Sequence, residues 1–255
     1  IGIGHRVVHG GEQFKGPVRV DSHVLKGIQA AVSLAPLHNP ANLSGIEACS
    51  TRWPDIPQVA VFDTAFHQTL PESAWRYAIP QTPSPAGRVR RYGFHGTSFS
   101  SIRRQMATYL GKRPDRLNLI VLHLGNGASA CAIRNGLSID TSMGMTPTAG
   151  LVMGTRSGDL DPGIILHWLR EELPDARRLD QVLNRESGLL GLCGTNDMRE
   201  LLKAIDRGCP QSSMALSVYV HRIRHYIGAY RAELSNLDAL VFTGGIGEHA
   251  EIVRA

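Results

Sequence analysis

Two glycine-rich turns follow short apolar runs, and turns of this kind can bind an anion through their backbone. GNG at 125–127 follows the run LIVLHL, and GGIG at 244–247 follows ALVFT. Glycine leaves backbone N–H groups unobstructed, so several of them can converge on a phosphate. The first turn lacks the GK[ST] ending of a Walker loop, and an ordinary hairpin turn explains it better when it is taken alone. Together, the two turns predict a ligand site at the carboxyl ends of parallel strands.

Charged residues near two predicted strands suggest how a small carboxylate could be bound. In HRVVHGGE, Arg6 and Val8 share one face at the period of a strand, which suits a short carboxylate with a small apolar tail. A single arginine is nevertheless more often a surface residue. Asp63 ends the run VAVF, where a carboxylate needs a cation, a metal or hydrogen bonds to compensate its burial. Capping of the next turn is the alternative for Asp63.

Two histidines and one arginine complete the candidates drawn from local context. His38 precedes Asn39-Pro40, which has the pattern of a helix N-cap and first helical residue, so an anion there would gain from the helix dipole. His95 lies in YGFHGTS just before a predicted helix, and Arg156 lies among small residues in a long loop. The chain has 11 histidines, so a purely structural role is the alternative for each one considered singly.

The elements that must position these residues alternate between strand and helix. Apolar, β-branched runs predict buried strands at 59–62, 119–124 and 239–243. Helical periodicity or capping residues predict helices at 21–35, 96–110, 161–172, 197–206 and 211–234. The helix at 161–172 has Asp161 as a candidate N-cap and Pro162 in its first position. This alternation predicts an α/β fold.

Two segments have neither the periodicity of a helix nor that of a strand. The segment 141–162 is longer than an ordinary connection, and its Met, Leu and Val content favours a functional loop over a disordered one. The Pro- and Gly-rich segment 79–87 is the best candidate for a linker.

Composition excludes several classes of protein. The chain has 255 residues, 42% hydrophobic and 19% charged, which is ordinary globular usage, and no run reaches the ~18 apolar residues of a membrane span. Its net charge of +5 is dispersed apart from Arg88, Arg90 and Arg91, so an anionic small substrate explains it without nucleic acid. The four scattered cysteines show no metal-binding spacing, and a reducing cytoplasm is the expected location.

Seven motifs, in this order along the chain, resemble those of the acetate kinase family. They are HRVVHGGE, APLHNPANL, VAVFDTAFHQTLP, YGFHGTS, HLGNGAS, DTSMGMTPTAGLVMGTRSGDLDP and FTGGIGEH. The resemblance covers residues 5–249 and implies the fold of the acetate and sugar kinase, Hsp70 and actin superfamily. That fold has two duplicated α/β domains with a cleft between them.

The resemblance also implies roles for individual residues. The family's catalytic residues correspond to Arg6, Asp63, His95 and Arg156. Its acyl-substrate residues correspond to Arg6, Val8, Leu37, His38, Phe94 and Pro147. Its phosphate-binding turn corresponds to His123, Leu124, Gly125, Asn126 and Gly127, and its adenosine pocket to Asp197, Met198, Arg199, Gly245, Ile246, Gly247, Glu248 and His249.

The sequence departs from the family pattern at both ends. Family members begin with an NxGSSSxK hairpin that contacts phosphate and supplies an asparagine near magnesium, and they continue beyond GIGEH to a glutamate near the metal. Neither feature is present, so we expect an internal segment whose Mg²⁺ ligands lie outside the chain. We expect residues 1–65 to be a remnant of the acyl-substrate domain and residues 66–255 an incomplete nucleotide-binding domain. We expect the segment alone to be inactive.

The resemblance implies reversible transfer of the γ-phosphoryl group of ATP to acetate, giving acetyl phosphate and ADP. The implied partners are acetate or another short carboxylate and ATP, with no nucleic acid or membrane, and family members are usually homodimers. Propionate or butyrate kinase remains an alternative, because one methylene in an apolar pocket discriminates by only ~1–3 kcal/mol. Two further alternatives are a non-catalytic, actin-like nucleotide-binding remnant and a structural or RNA-binding α/β protein.

Overall fold

Strands and helices alternate along the chain, which confirms the predicted α/β class. The computed structural model describes residues 1–80 and 89–255. The strands are β1 (Ile3–Val7), β2 (Val18–Arg19), β3 (Gln58–Phe62), β4 (Leu119–Leu124), β5 (Ala128–Arg134), β6 (Leu137–Thr141) and β7 (Ala239–Thr243). The predicted linker at 79–87, apart from its first two residues, lies outside the described residues, as does Arg88.

The structure contains the five predicted helices, the first of which ends at Ala30 instead of residue 35, and several further helices that were not predicted. The helices are α1 (Ser22–Ala30), α2 (Asn39–Arg52), α3 (Glu72–Trp75), α4 (Gly96–Leu110), α5 (Pro162–Glu171), α6 (Ala176–Gln181), α7 (Gly188–Cys193), α8 (Met198–Asp206), α9 (Pro210–Glu233), α10 (Gly244–His249) and α11 (Glu251–Arg254). The Asp161 side chain caps α5 as predicted, because it accepts a hydrogen bond from the Gly163 N–H at 2.8 Å. Among the described residues, no helix combines the length and hydropathy needed to cross a membrane.

The chain forms two compact units. Unit 1 comprises Ile1–Leu117 and Ile133–Thr146, and unit 2 comprises Asn118–Ala132 and Pro147–Ala255. This division differs from the expected boundary at residue 65. The difference arises because α4 packs on β3 and on the 3₁₀ helix Ala65–Thr69, which in turn contacts β6.

Unit 1 contains a three-stranded sheet in the order β1-β3-β2. β1 and β3 are parallel, with Arg6 opposite Val61 and Val7 opposite Phe62, whereas β2 is antiparallel to β3. The core of this unit lies between the sheet and α1 and α2, and it consists of Val7, Phe14, Val24, Ile28, Leu43, Ile46, Ala60 and Phe62. The rings of Phe14 and Phe62 stack with centroids 4.5 Å apart. This core fixes the ends of β1 and β3 relative to each other.

Helix α4 begins in direct contact with the chain that leaves β3. The Gly96 N–H donates to the Asp63 carbonyl oxygen at 2.8 Å. A Cβ atom at Gly96 would overlap that same oxygen and would lie 2.8 Å from the Phe66 Cβ. Only glycine therefore permits α4 to start at this position.

In unit 2, β4 lies between β5 and β7. β4 and β7 are parallel, with Leu119 opposite Ala239 and His123 opposite Thr243. The carboxyl ends of both strands therefore lie at one edge of the sheet. β4 is almost wholly buried, and α9 packs against it as well as against α7 and α8. The buried side chains of α9 include Ala215, Tyr219, Ile223 and Tyr230.

Two features of the fold differ from the expectations or were missed. Asn39 does not cap α2 from outside, since it is the first residue of the helix and its buried side chain bonds to the His9 backbone instead. Strands β5 and β6 were not predicted, although the two-residue connection Asn135-Gly136 has the positive φ values, 50° and 75°, of a tight hairpin turn.

Replacing Gly96 by alanine should destabilise the protein, because the added methyl would separate α4 from Asp63. We expect the free energy of unfolding to fall by about 2 kcal/mol or more. Gly45→Ala in α2 is the matched control, since its Cβ would meet nothing within 4 Å and alanine is the better helix former. That control should gain about 0.5–1 kcal/mol. Urea denaturation measures both, and equal effects of the two substitutions would contradict this account.

Two buried histidines should make stability depend on pH. Burial lowers the pKa of His9 and of His67 to about 4, so both are neutral in the folded chain at neutral pH. The unfolded chain takes up their protons below its ordinary pKa of 6.5. Stability should therefore be constant above pH 6.5 and fall between pH 6.5 and 4, by about 1.4 kcal/mol per pH unit for each histidine.

Denaturation of the wild type and of His9→Gln at several pH values tests this expectation. The difference in unfolding free energy between the two should vary with pH in that window, whereas the exposed-residue control His225→Gln should follow the wild type. A difference that stays constant from pH 7 to pH 4.5 would contradict the assignment.

Candidate active site

The central feature of unit 1 is an ion pair between Arg6 on β1 and Asp63 at the end of β3. The Arg6 Nη2 lies 2.6 Å from Asp63 Oδ2, and its Nε lies 3.1 Å from Oδ1. The carboxylate is almost fully buried, whereas 61% of the Arg6 side chain is exposed. The parallel pairing of β1 and β3 produces this contact, because the Asp63 N–H also donates to the Val7 carbonyl at 3.0 Å. The hydrogen bond with Asp63 raises the pKa of Arg6 further.

Helix α4 supplies a further hydrogen bond to the Asp63 carboxylate. The Thr97 hydroxyl donates to Asp63 Oδ1 at 3.1 Å. A buried carboxylate is tolerated only when its oxygens are compensated, and here a guanidinium and a hydroxyl do so. This geometry fits a carboxylate whose role is to orient the guanidinium of Arg6.

This arrangement leaves one edge of the Arg6 guanidinium available. Its Nη1 makes no hydrogen bond to any residue in the described parts of the chain, and the side chain is mostly exposed. Asp63 therefore fixes one side of the planar fork while the other can donate two parallel hydrogen bonds to an anion. Carboxylates and phosphates are the ligands that match this geometry.

His95 immediately precedes α4 in a left-handed conformation. Its φ of 58° is uncommon for a residue other than glycine. The hydrogen bond from the following Gly96 N–H to the Asp63 carbonyl maintains this turn. Backbone strain of this kind is found at functional sites, where surrounding contacts enforce it. The ion pair thus joins Arg6 to Asp63, and the backbone hydrogen bond of Gly96 holds the chain at His95 close to Asp63.

The residues expected to contact the acyl substrate lie near the turns that follow β1 and precede α2 and α4. Val8 is half-buried and its N–H donates to the Asn42 side chain at 3.1 Å. His38 occupies the N-cap position of α2, Leu37 before it is 47% exposed, and Phe94 is buried. Pro147 belongs to unit 2 and is described there.

Sequence reasoning missed the residues that support these turns. The His9 ring lies edge-on to Tyr92 and Phe94, with centroids 4.5 and 5.6 Å away. Its Nδ1 accepts from the Gly11 N–H at 3.0 Å, which places the ring proton on Nε2. Asn39 accepts from the His9 N–H and donates to its carbonyl oxygen. The repeated His and Gly in HRVVHGGE were the only available signal for this support.

Unit 2 contains Arg156 in the loop that was predicted to be functional. Arg156 is half-buried, and its Nη1 donates to the Pro147 carbonyl at 3.3 Å. Burial lowers its pKa, and it forms no ion pair with any residue that the structure describes. A buried cation without a carboxylate is costly, so an anionic ligand would be favoured beside it.

The loop around Arg156 is ordered by its own hydrogen bonds. The Met153 N–H donates to the Arg156 carbonyl at 3.1 Å, and the Asp159 side chain accepts from the Gly150 N–H at 2.8 Å. The Tyr226 hydroxyl on α9 donates to the same carboxylate at 2.6 Å. The loop is therefore an ordered part of the fold, in agreement with the prediction made from its apolar content.

Unit 2 also contains a cavity of about 640 Å³ at the edge where β4 and β7 end. Its lining combines both glycine turns with the start of α8 and consists of Gly125, Asn126, Asn196, Asp197, Met198, Arg199, Leu202, Gly245, Ile246, His249 and Ala250. This volume is typical of small-molecule sites. A Cβ at Gly245 would meet no atom within 4 Å, so a side chain there would point into open space.

Polar groups at the cavity are arranged by local hydrogen bonds. Asp197 caps α8 by accepting from the Arg199 N–H, and its carboxylate lies 2.6 Å from Arg199 Nη2. The hydrogen bonds from Arg199 lower the pKa of Asp197 to about 2. The Asn196 side chain, which was not predicted, donates to Asn126 Oδ1 at 3.0 Å.

Several predicted nucleotide-binding residues do not line the cavity. Leu124 is buried in β4, and its backbone would clash with any Cβ at Gly244. Glu248 accepts from the Thr243 hydroxyl at 3.2 Å, and the Gly247 carbonyl accepts from Arg254. His123 precedes the GNG turn and Gly127 ends it, and neither belongs to the lining.

The described residues do not provide a metal site of their own. Across residues 1–80 and 89–255, no group of three or more His, Cys, Asp or Glu side chains is placed to hold a metal ion. Asp63 is already engaged by Arg6 and Thr97. Mg²⁺ prefers one or two available carboxylates together with substrate phosphates, so this set does not fit it.

Comparison with known proteins gives consistent matches along the chain. The acetate kinase of Streptomyces avermitilis is 56% identical over 253 residues, covering 99% of this chain and 62% of that protein. The acetate kinase of Sulfurovum sp. strain NBC37-1 is 56% identical over 252 residues, covering 99% and 64%. The chain thus spans less than two thirds of the length of these relatives.

Solved structures show the same fold. A propionate kinase from Francisella tularensis superposes with a TM-score of 0.95 at 47% identity, covering 99% of this chain and 65% of that one. Porphyromonas gingivalis acetate kinase gives 0.93 at 45% identity, covering 99% and 64%. The fold expected from the motifs is thereby confirmed. Since the acetokinase family model matches residues 1–255 as well, the chain belongs to the acetokinase family.

Proposed function

We propose that the protein transfers the γ-phosphoryl group of ATP to acetate, reversibly, giving acetyl phosphate and ADP. The observation that carries this proposal is the Arg6 guanidinium, which Asp63 fixes on one side and which keeps donors available on the other. Membership of the acetokinase family supports it, as do the acetate kinases at 56% identity. A proton-transfer catalyst is not required, because acetate is already ionised at neutral pH.

Charge neutralisation is the main task that phosphoryl transfer sets for the protein. The transferred group spreads negative charge over its equatorial oxygens, and positioning and electrostatics supply most of the catalysis. We assign Arg6 and His95 in unit 1 to this task, and we assign Arg156 to the binding of an anionic group within unit 2. Asp63 positions Arg6 and does not act as a base, because its oxygens are engaged by Arg6 and Thr97.

Nucleotide binding is assigned to unit 2. The two glycine turns at one sheet edge offer unobstructed backbone to phosphates, and the cavity beside them has room for a nucleoside. Mg²⁺ supplies charge neutralisation on phosphates when it accompanies a nucleotide. The described residues do not form a site for it.

Acetate is the proposed acceptor, with propionate as the second candidate. Val8 is half-buried and its N–H donates to the Asn42 side chain on α2, and a valine suits a methyl group better than a longer tail. The resemblance to a propionate kinase structure favours testing both acids. A difference of one methylene corresponds to about 10- to 200-fold in kcat/KM.

Two further properties are proposed from the family. We propose a homodimer, to which the exposed face of α9, including Met214 and Val218, would contribute. We propose a cytoplasmic location, since the reaction uses ATP and none of the four cysteines forms a disulfide.

An acyl phosphate assay tests the reaction. Purified protein, expressed with the coding sequence that flanks this chain, is incubated with ATP, Mg²⁺ and acetate, and hydroxylamine traps the product. We expect acyl hydroxamate with acetate, a slower reaction with propionate and none without ATP. Nucleotide binding without any hydroxamate would instead support the non-catalytic nucleotide-binding alternative.

Filling the unit 2 cavity should weaken nucleotide binding. We expect Gly245→Leu to raise the Kd for ADP by about tenfold or more, since its side chain would enter the cavity. Gly228→Leu on α9 is the matched control, because a Cβ there also meets open space but lies outside the lining. Titration calorimetry with ADP measures both. Unchanged affinity in Gly245→Leu would contradict the assignment of this cavity.

A further inference from the structure

Unit 1 contains a second cavity that the proposed reaction does not use. Its volume is about 550 Å³, which is within the range of small-molecule sites. It lies beside the end of β3 and extends along α4 from its first residue, Gly96, to Arg104. We name it the α4 cavity.

The α4 cavity carries positive charge that no carboxylate balances. Lys15, Arg103 and Arg104 line it, and no acidic residue belongs to the described lining. None of the three cations forms an ion pair with a residue in the described parts of the chain. The Arg104 guanidinium donates to the Ser100 hydroxyl at 3.0 Å and to no other group that the structure describes. Three cations without a counterion create a field that attracts an anion.

Among the three cations, Arg103 has the clearest unsatisfied hydrogen-bond donor. Its Nη1 donates to the Gly136 carbonyl at 2.9 Å, but its Nε is buried and has no hydrogen-bond partner within residues 1–80 and 89–255. Its guanidinium lies 5.6 Å from the centre of the Phe66 ring. Burial lowers the pKa of Arg103, and the neighbouring charge of Arg104 lowers it further. An anion would relieve both effects.

The remaining walls of the cavity are mostly apolar. Val61, Phe62, Ala65, Phe66 and Leu137 provide the apolar surface, while Thr97 and Ser100 add hydroxyl groups near the cations. A ligand that matches both parts needs a charged head and an apolar body. Inorganic phosphate alone would leave the apolar walls uncovered.

We propose that the α4 cavity binds a small amphipathic anion, with a phosphate or carboxylate head at Lys15, Arg103 and Arg104 and an apolar body against Val61, Phe66 and Leu137. This site is distinct from the acyl and nucleotide sites and does not depend on the proposed function. Thr97 links it to the catalytic groups, since the same side chain lines the cavity and donates to Asp63. A bound ligand is thereby in contact with the residue that positions the Asp63 carboxylate.

Titration calorimetry with phenyl phosphate tests the proposal. We expect one site on the chain, with weaker binding of inorganic phosphate and of phenol, each of which has only one of the two parts. The double variant Lys15→Met, Arg104→Met should weaken phenyl phosphate binding at least tenfold. Both residues are exposed, so the variant should fold. Arg52→Met removes an exposed arginine of the same unit outside the cavity and should bind as the wild type does.

Three results would overturn the proposal. The first is an unchanged affinity in the double variant. The second is loss of binding in Arg6→Met, or displacement by ADP, which would place phenyl phosphate at the phosphoryl-transfer groups. The third is loss of binding when the protein is expressed with its flanking coding sequence, which would mean that polypeptide occupies the cavity.

Discussion

The buried carboxylate of Asp63 is the constraint on which the organisation of unit 1 depends. Its burial at the end of β3 is tolerable only because Arg6 on β1 and Thr97 on α4 compensate its oxygens. Three elements are therefore tied to one group. The same group orients a guanidinium whose other edge remains available, so under the proposed function structural stability and anion binding depend on one interaction. The start of α4 at Gly96 brings the backbone at His95 close to the Asp63 carbonyl oxygen.

Under the proposed function, unit 2 has a different role, which is to present backbone N–H groups to a nucleotide without side-chain obstruction. The parallel pairing of β4 and β7 brings two glycine turns to one edge, and Gly245 leaves open space beside Asp197 and Arg199. Arg156, in the long loop, adds a cation that no carboxylate of the described residues neutralises. Under the proposed function, anion binding in unit 2 would rely on backbone N–H groups and on the unpaired charge of Arg156, whereas in unit 1 it would rely on the paired charge of Arg6.

Much of the fold could be predicted from the sequence, because apolar runs and capping residues are local signals. The runs at 119–124 and 239–243 correspond to β4 and β7 without any shift, and the predicted helix at 96–110 is α4. The extent of unit 1 was not predictable in this way, since it depends on long-range packing of α4 and β6. The hydrogen bonds between the Asn39 side chain and the His9 backbone were missed for the same reason.

A double-mutant cycle on Arg6 and Asp63 tests most directly whether the carboxylate acts through the arginine. The kcat/KM for acetate is measured for Asp63→Asn, Arg6→Gln and the double variant across a range of pH. If Asp63 only positions Arg6, the double variant should be little worse than Arg6→Gln, and Asp63→Asn should show no recovery at high pH. The account would be contradicted if the loss of kcat/KM in the double variant equalled the product of the two single losses. It would also be contradicted if the activity of Asp63→Asn returned with rising pH.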